Sequence, residues 1–295
     1  MRNICYSFII PHHNNPELLY RLIDSIPLRD DVEIIVVDDN SDSDKKPVQL
    51  RSDCKLLCID AEHTKGAGKA RNLGIENALG KWLLFADSDD VYADGFLNVL
   101  DVYSSKNIDI LYFDVFYAWD PVMQKERSPQ KYSDSIKQYL GKRDSLYWTL
   151  MVKHIIQGPW NFMVKREYVE KLKAHFEEVP KGNDAFFHHY VSMNTQSFEV
   201  TEKKLYYWLW NENGITRKRR TEDEYISELT HRTMLLNMKV EAGAWNTIPL
   251  FSKGFNKVKK DCGLKVALKW LMKSFFSNVP WIKICVKRFL MEIGK

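Results

Sequence analysis

Along the first hundred residues, short, mainly apolar runs alternate with apolar stripes at helical spacing. The runs Tyr6–Ile10, Glu33–Val37, Leu56–Ile59 and Trp82–Ala86 predict strands, the last apolar at every position and so covered on both faces, and Ile108–Tyr117 predicts a fifth. Leu18, Leu19, Leu22, Ile23 and Ile26 follow helical spacing. They come after Asn14-Asn15-Pro16-Glu17, where an Asn suits a cap and the Pro suits a first turn. Ala67–Leu79 predicts a helix closed by Gly80 in a left-handed cap, and Asp94–Ser104 predicts another. Strands alternating with helices predict an α/β fold with right-handed crossovers and a doubly wound, mostly parallel sheet.

Composition narrows this picture. A chain of 295 residues suits one large domain, or a domain with an appendage. Hydrophobic residues at 45% and charged residues at 28% exclude a disordered chain. The start MRNICYSFII runs directly into polar PHHNN, and reads as a first strand, not a signal peptide. The five cysteines are odd in number, and Cys54 and Cys58 have no second pair to complete a zinc site. Structural thiols in a reducing cytosol are the expectation.

The net charge of +4 conceals an asymmetry. Residues 253–295 hold eleven Lys or Arg against Asp261 and Glu292, a local +9, which leaves −5 for residues 1–252. Leu264, Ala267, Leu268, Leu271 and Phe275 recur at helical spacing beside Lys265, Lys269 and Lys273. Pro280 interrupts the run, and Ile282, Cys285, Val286, Phe289 and Ile293 form a second set. Two readings stand: a packed helix pair, or an interfacial anchor on anionic lipid with Trp270, Phe275, Phe276 and Trp281 in the headgroup layer. The acidic body argues against nucleic acid as a partner.

Three predicted strands end in polar sets: Pro11-His12-His13-Asn14, Asp38-Asp39 and Asp87-Ser88-Asp89-Asp90. Ligands of such sheets bind outside the carboxyl ends of the strands. Like charges at one strand end require a counter-charge, and clustered oxygens suit Mn²⁺ or Mg²⁺ shared with a phosphate.

The order SFIIPHHN, EIIVVDDNSD, GKARNLGIENALGKWLLFADSDD resembles the start of a family 2 glycosyltransferase of the GT-A fold, and the likeness runs over roughly residues 5–215. The resemblance implies that Pro11 and His13 line a nucleotide pocket and that Asp39 bonds a uracil ring. Asp87-Ser88-Asp89 then corresponds to the DxD motif, with Asp87 toward ribose and sugar, Ser88 beside it, and Asp89 on the metal. Lys181-Gly182-Asn183-Asp184 resembles the Glu-Asp stretch whose second acid is the catalytic base, which maps to Asp184. Asn183 departs from the acid usual there. Gly158-Pro159-Trp160-Asn161 and Tyr206-Tyr207-Trp208 resemble acceptor-side segments.

Around these residues plainer roles are expected. Asp38 supports its turn, Asp90 caps the next one, and Lys69 and Arg71 lie on a helix face. His188 and His189 pack. Tyr206, Tyr207, Trp208 and Trp210 divide evenly between core and sugar platform, and Arg217–Arg220 is a basic loop able to close on a diphosphate. Asp87-Ser88-Asp89-Asp90-Val91 also fits the Asp-x-Asp-x-Val of haloacid-dehalogenase-type phosphatases, but there it follows the first strand, and here the fourth.

The expectation is an inverting, metal-dependent glycosyltransferase that moves a sugar from a nucleoside diphosphate sugar, UDP-linked, to a hydroxyl of a growing surface glycan or lipid-linked oligosaccharide. The alternative is a non-catalytic nucleotide-sugar or glycan-binding protein on the same fold. Residues 1–220 form the expected catalytic domain, nucleotide half to 118 and acceptor half from 119, with 221–295 a helical C-terminal extension. The expected location is cytoplasmic, peripheral to the inner membrane face if the tail anchors.

Overall fold

The computed structural model describes residues 3–59, 66–127, 131–156, 158–179, 182–210, 219–248 and 251–276. Lys181, Arg217 and Lys218, and everything from Ser277 onward, including Pro280 and Trp281, lie outside them. The chain divides into two compact units: residues 1–143 with 156–210, and residues 144–155 with 211–295.

The first unit is built on one sheet. In chain order it holds β1 (Tyr6–His12), α1 (Pro16–Asp24), β2 (Val32–Asp38), β3 (Cys54–Cys58), α2 (Ala67–Asn77), β4 (Trp82–Phe85), β5 (Val91–Tyr92) and α3 (Phe96–Ser104). It continues with β6 (Ile110–Asp120), β7 (Lys125–Glu126) and α4 (Lys131–Gly141), leaves for α5 (Leu146–His154) of the second unit, then returns. A 3₁₀ turn at Pro159–Asn161 leads to β8 (Phe162–Lys165), α6 (Arg166–Leu172), α7 (Asn183–Asn194) and β9 (Phe198–Leu209). The strand order is β3-β2-β1-β4-β8-β6-β9-β5, with β7 on β6. Most paired residues lie in parallel pairs, while β8 runs antiparallel between β4 and β6. The expected α/β sheet is therefore present, and the direction of the chain along it reverses between β1 and β4. That reversal is where a crevice opens at the strand ends.

Tyr6, Phe8, Ile9, Ile10, Ile34–Val37 and Trp82–Phe85 have lost nearly all contact with solvent, as their continuous apolar runs require. Burying each large aliphatic side chain contributes about 1.5–3 kcal/mol.

Two local expectations need correction. The helix begun at Ala67 ends at Asn77, with Ala78 already extended, so Gly80 is not its cap. Gly80 is needed for close approach, because a Cβ there would sit 2.5 Å from Ser7 Oγ and 2.6 Å from Ser7 N. Asn15 does not cap α1 with its side chain. Its backbone N–H donates to His12 Nε2 instead, at 3.2 Å.

In the second unit, α5 joins α8 (Glu222–Ser227), α9 (Leu229–Glu241), α10 (Phe251–Cys262) and α11 (Leu264–Phe276). Its core is Tyr225, Leu229, Leu236, Ile248, Val258, Ala267 and Trp270. Lys239 is buried, and its ammonium donates to the carbonyls of His154 and Thr247. Burial lowers it to about 8. Trp270, expected outward in the anchor reading, is 1% exposed and faces the core. The exposed stripe of α11 is Leu264 (52%), Leu268 (46%) and Met272 (61%). No helix among the described residues is long and apolar enough to cross a membrane.

Candidate active site

The ends of β1 and β2 are knotted together by register. His12 pairs with Asp38 across the two parallel strands, which sets their side chains on one face. His12 Nδ1 lies 3.0 Å from Asp38 Oδ1, and both residues are buried. Because His12 Nε2 accepts the Asn15 N–H, its proton sits on Nδ1 and is donated to Asp38. Ser41 adds its hydroxyl at 2.5 Å and its N–H at 3.2 Å. Asn40 makes the turn in the left-handed region (φ 56), which Asn tolerates. Burial pulls the Asp38 carboxyl up, but the Ser41 and His12 hydrogen bonds outweigh it and hold it below its ordinary value. Asp38 supports its turn, as expected.

Pro11 is buried in β1 opposite Val37. The His13 ring is exposed, with Nδ1 on the Asp39 carbonyl at 2.9 Å. Asp39 accepts the Gly66 N–H through Oδ2 at 2.7 Å, while its buried Oδ1 has no partner among the described residues. A buried acceptor without a donor is costly.

After β4 the charge is handled differently. Asp87, Ser88 and Asp89 are half-buried and Asp90 is fully buried. Asp90 accepts from the Tyr206 hydroxyl at 2.8 Å and the Leu209 N–H at 2.7 Å, tying the motif to β9. Burial, then the negative charges of Asp89 and Asp87, push its carboxyl well above the usual range. The expected role as a cap for the following turn is thus replaced by a link between strands. The Asp89 carbonyl accepts from Arg21 of α1 at 2.6 Å.

Arg71 is the residue that sequence reasoning misplaced. It is 4% exposed, not on a solvent face. One guanidinium nitrogen meets Asp87 Oδ1 at 2.5 Å, and another donates to Asn183 Oδ1 at 2.8 Å. The group lies over the Phe176 ring, 5.3 Å from its centroid. Gly68 allows this approach, since a Cβ there would fall 2.0 Å from the Glu177 carbonyl oxygen. Asn183 is thus a neutral acceptor for this buried arginine.

Asp184 stands in the first turn of α7, after Gly182 in the left-handed region (φ 74). A carboxylate is favoured at such a helix start. Burial raises the Asp184 carboxyl, Arg71 opposes the rise, and Asp87 adds to it, with a net upward shift. Asp184 and Asp87, 97 positions apart, thus share one electrostatic environment. His188 and His189 are buried and pack, as expected.

The aromatic cluster splits by face. Tyr206 is core, and Trp160 lies parallel to both Tyr206 (5.9 Å, 6°) and Trp208 (6.0 Å, 10°). Tyr117 leans on Trp208 at 4.6 Å. Tyr207 points the other way and stacks on Phe116 at 4.0 Å. In β6, Ala118 is buried with φ 51, at a break in register between Phe116 and Trp119. That conformation costs a non-glycine residue about 1–2 kcal/mol.

The family model described as Glycosyl transferase family 2 matches residues 7–173. The chain belongs to glycosyltransferase family 2. It is 26% identical over 239 residues to poly(ribitol-phosphate) beta-N-acetylglucosaminyltransferase TarP of Staphylococcus aureus strain N315, covering 76% of this chain and 69% of that one. It is 36% identical over 217 residues to a GalNAc(5)-diNAcBac-PP-undecaprenol beta-1,3-glucosyltransferase of Campylobacter jejuni, covering 71% and 66%. Among solved structures, S. aureus TarS 1-349 in complex with UDP-GlcNAc aligns with a TM-score of 0.65 at 18% identity, over 95% of this chain and 81% of that one. The fold of this family 2 enzyme is accordingly GT-A, and the protein is a glycosyltransferase.

Proposed function

We propose that the enzyme transfers a sugar, with inversion, from a UDP-sugar to a hydroxyl of a growing surface glycan or lipid-linked oligosaccharide. The observation that carries this reading is the convergence on Arg71. It donates to Asp87 of the acid motif and to Asn183, the residue next to Asp184 at the start of α7, so that one buried guanidinium ties the motif after β4 to the turn that carries the expected base. Support comes also from a TarS complex with UDP-GlcNAc and from a relative named for an undecaprenol-linked acceptor.

On this reading Pro11 and the exposed His13 ring frame the base, and Asp39 Oδ1 accepts the uracil imide N–H. Asp87 and Ser88 face ribose and sugar. The donor set fits Mn²⁺ or Mg²⁺, because hard carboxylate oxygens crowd this strand end enough to raise Asp90. Among the described residues no three His, Cys, Asp or Glu side chains form a cage. Asp89 is the residue to hold an ion whose other ligands come from the diphosphate. When bound, the ion supplies Lewis-acid stabilisation of the departing charge.

Asp184 does the proton work. Its raised carboxyl is a stronger base than an ordinary aspartate, suited to take the acceptor hydroxyl's proton. The acceptor oxygen forms its bond to the anomeric carbon as the carbon–oxygen bond to the diphosphate breaks. The electron pair leaves with UDP. Attack opposite the leaving group inverts the centre. The nucleotide contacts then fall before residue 118, the base beyond it, and all within residues 1–220.

The same proposal rests the enzyme on an anionic membrane through α11, whose exposed Leu264, Leu268 and Met272 adjoin Lys265, Lys269 and Lys273. Replacing the three lysines by Gln should weaken co-sedimentation with anionic vesicles and leave neutral vesicles unaffected. Unchanged binding to anionic vesicles would remove the membrane from the proposal.

The central test is thermal unfolding of the full chain against UDP-, GDP- and dTDP-sugars, with Mn²⁺ or with chelator. UDP-sugars with Mn²⁺ should stabilise most. Equal response to all nucleotides, or none that chelator abolishes, would overturn the donor and metal assignments.

A further inference from the structure

We infer that Tyr206 is a positioning residue, whose hydroxyl fixes the Asp87–Asp89 turn before the donor and its ion arrive. Its role rests on the proposed donor site, to which it adds a residue from a strand 119 positions later in the chain.

Strand β4 does not hold this turn by itself. Its last backbone bond to β1 is the Ala86 N–H on the Ile9 carbonyl, at 3.2 Å. The next N–H, that of Asp87, is donated to the Tyr206 hydroxyl at 3.0 Å. A phenol has a single proton to give. Tyr206 gives it to Asp90 Oδ2 at 2.8 Å, while the Leu209 N–H occupies Asp90 Oδ1 at 2.7 Å. The bonds therefore run in one direction, from the Asp87 N–H through Tyr206 to Asp90. The Asp90 N–H returns to the Asp87 carbonyl at 3.0 Å and closes the turn. Arg21 of α1 holds the Asp89 carbonyl at 2.6 Å. The backbone on both sides of Ser88 is thus fixed by side chains from other elements.

The phenol itself is held firmly. Tyr206 is fully buried and pairs in register with Tyr92 of β5 and Val115 of β6. Its ring lies edge-on to Tyr92 at 5.0 Å and parallel to Trp160 at 5.9 Å. A phenylalanine would keep these ring contacts and lose only the oxygen. Groups that orient metal ligands from behind change ion affinity roughly 10–100-fold when removed, because the ion must then order the site itself. A tyrosine that only packed would change stability and leave ion affinity alone.

The experiment compares the full wild-type chain with Tyr206→Phe and with Tyr112→Phe. The second variant is a control that also loses a buried hydroxyl, one bonded to Ser192 at 2.7 Å. Two readouts are taken. Free Mn²⁺ is followed by electron paramagnetic resonance during titration with UDP present, and amide hydrogen exchange is followed around Asp87 in the metal-free chain. Tyr206→Phe should weaken Mn²⁺ binding roughly 10–100-fold, speed exchange around Asp87, and recover most turnover at saturating Mn²⁺. Tyr112→Phe should lower the melting temperature and move neither readout. The inference is overturned if Tyr206→Phe leaves Mn²⁺ affinity or the exchange rate unchanged, or if Tyr112→Phe shifts both equally. If Tyr206→Phe does not fold, Asp90→Ala is read in its place. It removes the acceptor of the Tyr206 proton, so exchange around Asp87 should again speed up, and unchanged exchange overturns the inference. If the wild-type chain with UDP binds no Mn²⁺, the metal assignment falls instead, and exchange around Asp87 alone decides the role of Tyr206.

Discussion

After β2, Asp38 lies buried among donors from His12 and Ser41, and its carboxyl is held below the ordinary range. After β4, Asp90 is buried as deeply, yet the charged groups acting on it are Asp89 and Asp87, and its carboxyl is pushed up. The first strand end has settled its charge internally. The second has Arg71 on Asp87 and remains rich in negative potential. Two buried carboxyls of similar sequence setting therefore differ in kind: Asp38 is scaffold with its charge settled, whereas Asp90 belongs to a strand end whose excess charge the proposed function assigns to a cation with its diphosphate.

The comparison can be broken most severely at the base. Asp184→Asn should lower turnover by on the order of 10²–10⁴ while UDP affinity holds, measured by initial rates and calorimetry. Retained turnover would sever Asp184 from the acid cluster. Next, Asp89→Ala should abolish the Mn²⁺-dependent stabilisation by UDP, about 3 kcal/mol when ligand stands at a hundred times its Kd. Persistence of that stabilisation in a melting experiment would place the ion elsewhere.

Arg71→Met should destabilise the chain by about 2 kcal/mol in urea unfolding. This is less than the loss of a fully buried ion pair, because Asp87 keeps about a third of its surface in water. The smallest effect sharpens the contrast most. Asp38 is depressed, so its contribution is present above the unfolded Asp value near 3.9 and is lost as pH falls through the folded value. Asp38→Asn should cost about 1 kcal/mol at neutral pH and little in acid. Asp90 is raised, so its carboxyl favours folding below the unfolded value and opposes it as pH rises toward the folded one. Asp90→Asn should be neutral or stabilising at neutral pH without metal. Parallel pH profiles for the two variants would erase the distinction.

Much of this could be read from the sequence, and for a physical reason. Continuous apolar runs such as Ile34–Val37 have no other stable place than a sheet covered on both faces, and polar residues at their ends mark the crevice. The family resemblance built on those motifs agrees with the match over residues 7–173. The insertion of β8 between β4 and β6 could not be read, because four residues carry no record of their long-range partners. Arg71 was hidden for a related reason. An arginine in a helix of mixed polarity looks solvated until the partners at positions 87 and 183 are brought to it. Gly68, three positions before it, was the available signal that this helix packs unusually close.

The placement of α5 has a consequence for synthesis. This helix is made between two halves of the sheet, yet it belongs with helices that follow residue 211. Its terminal carbonyl at His154 waits for the Lys239 ammonium, 85 residues later. At 5–20 residues per second on the ribosome that interval is roughly 4–17 s. During it an apolar segment (Leu150, Met151, Val152) is outside the ribosome before its partners exist. A chain cut at residue 220 would keep that segment permanently orphaned, so shortening this enzyme to its sheet invites aggregation unless α5 is removed with the C-terminal helices.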